Sequence, residues 1–205
     1  MLKFLANLVS ILISPLFAPT YLFFIILFYF PATASITGLT DKLLAILYIF
    51  LATFAITFVL IYILYKAKKI SDITMNNQKD RYLPQLFLSG MYVVITAWLY
   101  NRYGKTDALA MGMLASTITV LTITIVNRFW KISTHSSGVA GVFGIVTALF
   151  LKASDSAFLV PYLIITFLTL VVCMARLYLK AHTPLQVICG FILGGGSGFC
   201  LFYFR

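Results

Sequence analysis

Long apolar runs separated by short polar links divide this sequence into stretches of membrane-spanning length. The runs cover about residues 4–30, 43–65, 84–101, 108–127, 137–152, 158–179 and 184–204. Because a helix rises about 1.5 Å per residue, roughly 20 apolar residues cross the hydrocarbon core of a bilayer. The pattern therefore predicts an all-α, polytopic transmembrane bundle of about six or seven helices.

The first run contains Pro15 and Pro19, and proline interrupts the hydrogen bonding of a helix. We interpret this run as a short interfacial piece followed by a span. It is too long for the apolar region of a signal peptide, so we expect a retained membrane helix. The fifth run, 137–152, is short for a membrane span, and we expect it to be tilted or sunk within the bundle.

The composition agrees with a membrane protein. Hydrophobic residues make up 62% of the chain and charged residues only 10%, whereas soluble domains carry about 25% charged residues. The spanning runs leave no room for a separate soluble domain, so residues 1–205 are expected to form one integral membrane domain. Glycines at helical spacing, Gly190, Gly194 and Gly198, indicate close helix packing.

Three polar clusters follow one another at intervals of two predicted crossings. They are the link 66–83, the segment 127–135 and the segment 176–182. Two crossings return a chain to the same side of the membrane, so we expect all three clusters at one membrane face. Both histidines of the chain, His135 and His182, lie in these clusters.

The same predicted face holds ten of the fifteen basic residues. The positive-inside rule explains a basic cytoplasmic face, and anionic headgroups attract such a face. Neither explains the two histidines, nor Arg176 near the end of an apolar helix, and an ionisable residue at membrane depth is a candidate for function. The ten are Lys3, Lys66, Lys68, Lys69, Lys79, Arg81, Arg128, Lys131, Arg176 and Lys180.

These residue types suit phosphoryl transfer. Arginine and lysine hold phosphoryl oxygens, and histidine serves as nucleophile or as acid because its pKa lies near neutrality. The chain has five aspartates and no glutamate, and Asp41, Asp107 and Asp155 are predicted on the opposite face. The residues therefore indicate metal-independent chemistry through histidine, and we expect no cofactor.

The clusters resemble the motifs of the type 2 phosphatidic acid phosphatase superfamily. The third family motif, S-R-x5-H-x3-D, corresponds to Ala175-Arg176, His182 and Gln186. The second, P-S-G-H, corresponds to Ile132-Ser133-Thr134-His135, and the first, K-x6-R-P, survives only in the degenerate form Lys79-Asp80-Arg81-Tyr82-Leu83-Pro84. The resemblance covers about residues 66–200, so 1–65 are expected to be N-terminal helices and 66–204 a phosphatase-like core.

The resemblance implies a role for each residue. His182 would be the nucleophile that forms a phosphohistidine, oriented by Gln186, and His135 would protonate the leaving oxygen. The phosphoryl oxygens would be held by Arg176, Arg81, Lys79, Ser133, Thr134 and Lys131, together with helix N-terminal N–H groups.

The chain departs from the family pattern at four positions. Gln186 replaces an aspartate and accepts the same hydrogen bond without a charge. Ala175 replaces a serine, Thr134 replaces a glycine, and Thr74 stands where the first motif has its lysine. Because both histidines and Arg176 remain, we favour an active, divergent subgroup over a protein that has lost catalysis.

The sequence predicts a lipid-phosphate phosphatase with its site at one membrane interface, in the inner membrane of a bacterium. The expected partners are the bilayer and a lipid phosphate, with no nucleic acid. Two alternatives stay open: a non-catalytic anionic-lipid-binding protein or transporter, and a phosphotransferase on the same scaffold. The identity of the lipid, the oligomeric state and the side of the membrane that the site faces are not determined by the sequence.

Overall fold

The computed structural model describes residues 1–75, 77–153 and 156–204, and within these ranges the chain is helical and has no strand. The prediction of an all-α bundle is confirmed. The α-helices are α1 (Leu2–Leu12), α2 (Ala18–Tyr29), α3 (Leu39–Phe50), α4 (Ile56–Lys66), α5 (Tyr82–Tyr103), α6 (Ala108–Phe129), α7 (Thr134–Ala153), α8 (Leu159–Tyr178) and α9 (Pro184–Tyr203).

Within the described residues, seven helical stretches are long and apolar enough to cross a membrane. Helices α1 and α2 together make the first, and α3 continues into α4 through a π-helical segment, Leu51–Ala55, to make the second. Helices α5 to α9 each supply one more. Many large apolar side chains are exposed on the outside of the bundle, as expected of helices that face lipid. The chain is an integral, multi-pass membrane protein.

The first stretch is broken, as the prolines predict. Helix α1 ends at Leu12, a 3-10 turn covers Pro15–Phe17, and α2 begins at Ala18. The break lies at Pro15, because Pro19 is in the first turn of α2, where a helix tolerates proline. Helix α1 packs against α8, while α2 packs against α3, α6 and α7.

Helices α7 and α9 form the closest pair in the bundle, and glycines make this approach possible. A Cβ atom added to Gly194 would lie 2.0 Å from the carbonyl oxygen of Ser137, and one added to Gly144 would lie 2.2 Å from that of Gly195. Any side chain at these positions would push the backbones apart. Helix α7, which contains the short fifth run, is among the most buried helices.

Two aspartates have structural roles. Asp107 caps α6 by accepting the N–H of Leu109 at 2.8 Å, and it also accepts the N–H of Ser35 at 2.7 Å. Asp80 accepts hydrogen bonds from the backbone and the hydroxyl of Ser71. These carboxylates fix links between helices. Asp155, predicted on the face opposite the histidines, lies outside the described residues.

Candidate active site

The three polar clusters meet at one end of the bundle. The N–H of Ser133, just before α7, donates to the carbonyl of Gln186 in α9 at 3.3 Å. The side-chain amide of Gln78, in the link between α4 and α5, donates to the carbonyl of Asn127 in α6 at 2.6 Å. Links far apart in the sequence are thus held together around a shared centre.

The turn between α8 and α9 determines how His182 lies relative to Arg176. Lys180 adopts a left-handed conformation with φ of 52°. The N–H of Ala181 donates to the carbonyl of Arg176 at 3.2 Å, and the N–H of Lys180 donates to that of Leu177 at 2.9 Å. This is the Schellman arrangement that ends many helices. It reverses the chain within the five residues that separate Arg176 from His182.

Helix α9 then begins with a capping box that orients Gln186. The hydroxyl of Thr183 accepts the N–H of Gln186 at 3.4 Å, and the side chain of Gln186 accepts the N–H of Thr183 at 3.2 Å. A backbone N–H can only donate, so the atom that accepts it is the amide oxygen of Gln186. The capping box therefore determines which end of this amide faces His182.

The orientation of Gln186 decides the tautomer of His182. The Nδ1 atom of His182 lies 3.1 Å from the Oε1 atom of Gln186. Because that oxygen is an acceptor, Nδ1 carries the proton, and Nε2 of the neutral ring has a free lone pair. The Nε2 atom is buried and has no hydrogen-bond partner among the described residues. Of the two ring nitrogens, it is the one whose lone pair is able to react.

The surroundings of His182 keep its ring neutral. The pKa of His182 is lowered to about 4, mainly by burial and then by the charges of Arg81 and Arg176, while the hydrogen bond to Gln186 acts in the opposite direction. Lys131 also lowers this pKa. At neutral pH the Nε2 lone pair is available, as a nucleophile requires.

Two arginines from different elements face this histidine. Arg81 ends a 3-10 turn, is 7% exposed, and donates from Nε to the carbonyl of Met75 at 2.8 Å. Arg176 belongs to the last turn of α8. Arg81 Nη1 and Arg176 Nε are buried and have no hydrogen-bond partner within the described ranges. We call Arg81, Arg176 and His182 the Arg–His cluster.

Buried donors without partners are costly, and an anion would satisfy them. Two guanidinium groups of the same sign held close together also repel each other unless a negative charge lies between them. The Arg–His cluster is therefore suited to hold an oxyanion against a nucleophilic nitrogen.

The start of α7 contributes His135, Thr134 and Ser133. The Nε2 atom of His135 lies 3.0 Å from the carbonyl oxygen of Ser10 in α1, so Nε2 carries a proton and Nδ1 is the atom left for chemistry. The carbonyl of Ser10 is one of those that a helix end leaves without an internal donor. The hydroxyl of Ser133 accepts the N–H of Ser136 at 3.3 Å, so it caps α7.

The two predicted lysines differ in position. Lys131 is half-buried, and its pKa is lowered first by this burial and then by the nearby charges of Arg81 and Arg176. Lys79 is exposed and lines neither cavity at this end of the bundle. The structure thus brings Lys131 to the site and leaves Lys79 at its periphery.

Two cavities flank the Arg–His cluster. An open groove of about 540 Å³ lies on one side and is lined by Lys131, Lys180, His182 and Gln186, among others. A larger cavity of about 900 Å³ reaches into the bundle on the other side. Its polar end is lined by Arg81, Thr134, His135 and Arg176.

Several positioning residues escaped sequence reasoning. The side chain of Asn127 accepts the N–H of Ile132 at 3.0 Å and donates to Gln85 at 3.2 Å. Gln78 bonds the same helix end through the carbonyl of Asn127. These amides, and the carbonyl of Ser10, hold the links that carry Arg81 and His135. The only sign of these positioning residues in the sequence is that they are amide side chains close to the ends of predicted helices.

No group of three or more His, Cys, Asp or Glu side chains able to hold a metal ion occurs in the described part of the chain. The family model of the PAP2 superfamily matches residues 86–205, more than half of the chain. The matched segment includes His135, Arg176 and His182, and it begins after Arg81. Comparisons with curated proteins and with solved structures gave no match.

Proposed function

The chain belongs to the PAP2 superfamily, and we propose that it is a membrane phosphatase that hydrolyses a lipid phosphate or pyrophosphate through a phosphohistidine. Members of this superfamily are generally phosphoesterases, so activity on phosphate esters follows from the family. The lipid substrate, the covalent intermediate and independence from metal are the further content of the proposal.

One observation carries it: three buried nitrogen atoms from three separate elements have no partner among the described residues, and both arginines lie close enough to His182 for their charges to act on its ring. Arg81 Nη1 and Arg176 Nε are donors for phosphoryl oxygens. His182 Nε2 is an unprotonated nucleophile whose tautomer Gln186 determines. The N–H groups of the first turn of α7 add to the binding of the anion.

The proposed reaction has two displacement steps at phosphorus. In the first, His182 Nε2 forms a bond to phosphorus while the bond to the lipid oxygen breaks, and the cationic form of His135 donates its Nδ1 proton to that oxygen. In the second, water attacks the phosphohistidine, the P–N bond breaks, and His135 takes back a proton. Phosphate leaves, and both histidines return to their initial states.

The location of the site supports a lipid substrate. The Arg–His cluster lies between an open groove and a larger, mostly apolar cavity within the bundle. A phosphate on an apolar molecule matches this arrangement, with water reaching the phosphorus from the groove. A transporter for small anions would not need an apolar cavity, so the cavity favours the phosphatase proposal over that alternative.

The test is phosphate release by the purified protein in the presence of EDTA, from a panel of lipid phosphates, for wild type and His182→Ala. We expect release by wild type alone and a ³²P-labelled phosphohistidine in acid-labile, base-stable form. Release by His182→Ala at the wild-type rate would exclude the mechanism. Transfer of the label to an alcohol instead of water would identify a phosphotransferase.

A further inference from the structure

The cavity beside the Arg–His cluster is far larger than a phosphate group requires. Its volume of about 900 Å³ is near the upper end of the range of about 300–1,000 Å³ for small-molecule sites. One wall is a single face of the second span, where Phe54, Thr57, Phe58 and Ile61 recur at the spacing of helical turns. This wall lies outside the segment that matches the superfamily.

Stacked aromatic rings give this wall its shape. The ring of Phe54 stacks on that of Phe17 with centroids 4.1 Å apart, and it also stacks on Phe50 at 5.3 Å. Phe54 belongs to the π-helical segment Leu51–Ala55, and such segments recur at functional sites because they redirect side chains. The N-terminal helices thus supply a preformed surface for an apolar ligand.

Many hydroxyl groups in the bundle are satisfied within their own helices. Thr124 donates to the carbonyl of Val120 at 2.7 Å, four residues earlier. The same pattern holds at Thr53, Ser89, Ser116, Thr117, Thr147, Thr166 and Thr169. A hydroxyl in an apolar environment normally takes this partner.

Two hydroxyls that line the cavity break this pattern. Ser10 Oγ and Thr57 Oγ1 are buried and have no hydrogen-bond partner among the described residues, and their residues are 8% and 1% exposed. For Thr57, the residue four positions earlier lies in the π-helical segment, where the backbone geometry differs. Ser10 is at the phosphate end, since its carbonyl contacts His135.

We infer that this cavity holds the chain region of a phosphorylated amphiphile, and that Ser10 and Thr57 form a polar subsite for a hydrogen-bonding linkage close to its phosphate. The inference rests on the phosphatase function proposed above. It assigns the preferred substrate to amphiphiles with an ester, amide or hydroxyl near the phosphate. It disfavours isoprenoid phosphates, whose chains offer these hydroxyls no partner.

The test compares three substrates with the purified full-length protein in detergent. They are phosphatidate with two ester-linked oleoyl chains, its diether analogue with the same chains, and geranylgeranyl phosphate. We expect kcat/KM for the diester to exceed that for the diether by about 10-fold, as one or two hydrogen bonds predict. Thr57→Val, and independently Ser10→Ala, should reduce this preference to about 3-fold or less.

Thr20→Val is the matched control, because Thr20 Oγ1 is also buried, has no partner in the described part of the chain and does not line the cavity. This variant should keep the full preference. Equal hydrolysis of diester and diether by wild type, or an unchanged preference in both cavity variants, would overturn the inference.

A binding measurement separates this inference from the proposed function. The rise in melting temperature on adding each lipid is recorded for wild type and Thr57→Val. If no lipid releases phosphate, the phosphatase proposal fails, but greater stabilisation by diester than by diether, lost in Thr57→Val, still supports the subsite. Equal stabilisation by both lipids would reject the subsite whether or not phosphate is released.

Discussion

The Nδ1 atom of His182 lies 3.1 Å from the Oε1 atom of Gln186, and the same oxygen accepts the N–H of Thr183. One glutamine thus caps α9 and holds the histidine ring. The PAP2-type pattern has an aspartate at this position, so the hydrogen bond is retained here without the charge. The consequences of that exchange can be tested directly.

Gln186→Leu removes the acceptor, so His182 loses both its orientation and its tautomer. We expect kcat to fall by about 10- to 100-fold, the cost of leaving a buried N–H without a partner. Gln186→Asp should raise kcat, because a carboxylate stabilises the positive charge that develops on the ring as phosphorus is attacked. Steady-state phosphate release measures both. An unchanged kcat in Gln186→Leu would show that this contact has no catalytic role.

The pKa of His182, lowered to about 4, predicts a neutral ring throughout the physiological range. Protonation removes the Nε2 lone pair, so the nucleophile should be lost only as the pH falls through about 4, not through 6.5. The chain has two histidines, so NMR of ¹³C-labelled histidine in a His135→Phe variant reports His182 alone. Gln186→Asp should move this titration to higher pH. A midpoint near 6.5 in the otherwise unchanged site would contradict the prediction.

Arg176→Lys keeps the charge but removes the planar group that contacts two oxygens at once. We expect kcat/KM to fall by about 10²- to 10³-fold, as for loss of a donor to a developing charge. Arg128→Lys is the control, since Arg128 is exposed at the same end of the bundle and lies over the ring of Tyr82 at 5.2 Å. Its activity should change less than about twofold. Equal losses in the two variants would point to general charge rather than a specific contact.

Gly194→Ala should separate α7 from α9, because the added Cβ would lie 2.0 Å from the carbonyl oxygen of Ser137. Overpacking of this kind costs about 1–3 kcal/mol, so the melting temperature in detergent should fall. Gly196→Ala is the matched control, since nothing lies within 4 Å of its Cβ position. That variant should be as stable as wild type or more stable, by up to about 1 kcal/mol. Thermal denaturation followed by circular dichroism distinguishes them.

Lys180 has a left-handed backbone with φ of 52°, which asparagine tolerates and a β-branched residue does not. Lys180→Asn and Lys180→Val both remove the charge, so they differ mainly in their effect on the turn. We expect Lys180→Val to lose more activity, since the turn carries His182 toward Arg176. The ratio of their kcat values measures the contribution of turn geometry, and a ratio near one would assign any loss to the charge.

The sequence predicts the spanning helices well, because the length of an apolar run is a local property. Each of the seven predicted runs has a helix of spanning length in the structure, and the break at Pro15 follows from the chemistry of proline alone. Counting crossings also predicts one common face for His135 and His182, since each crossing reverses the direction of the chain.

The sequence by itself thus limited the number of spans to six or seven, and it determined the family and the chemical character of one face. Only the tertiary structure decided which residues of that face enter the site, because this depends on helix rotation and on the path of the links. It buries Arg81 while Lys79 stays exposed, it uses the Ser133 hydroxyl as a cap, and it brings the carbonyl of Ser10 to His135. The contact between Ser10 and His135 joins residues 125 positions apart and leaves no periodic trace in the sequence.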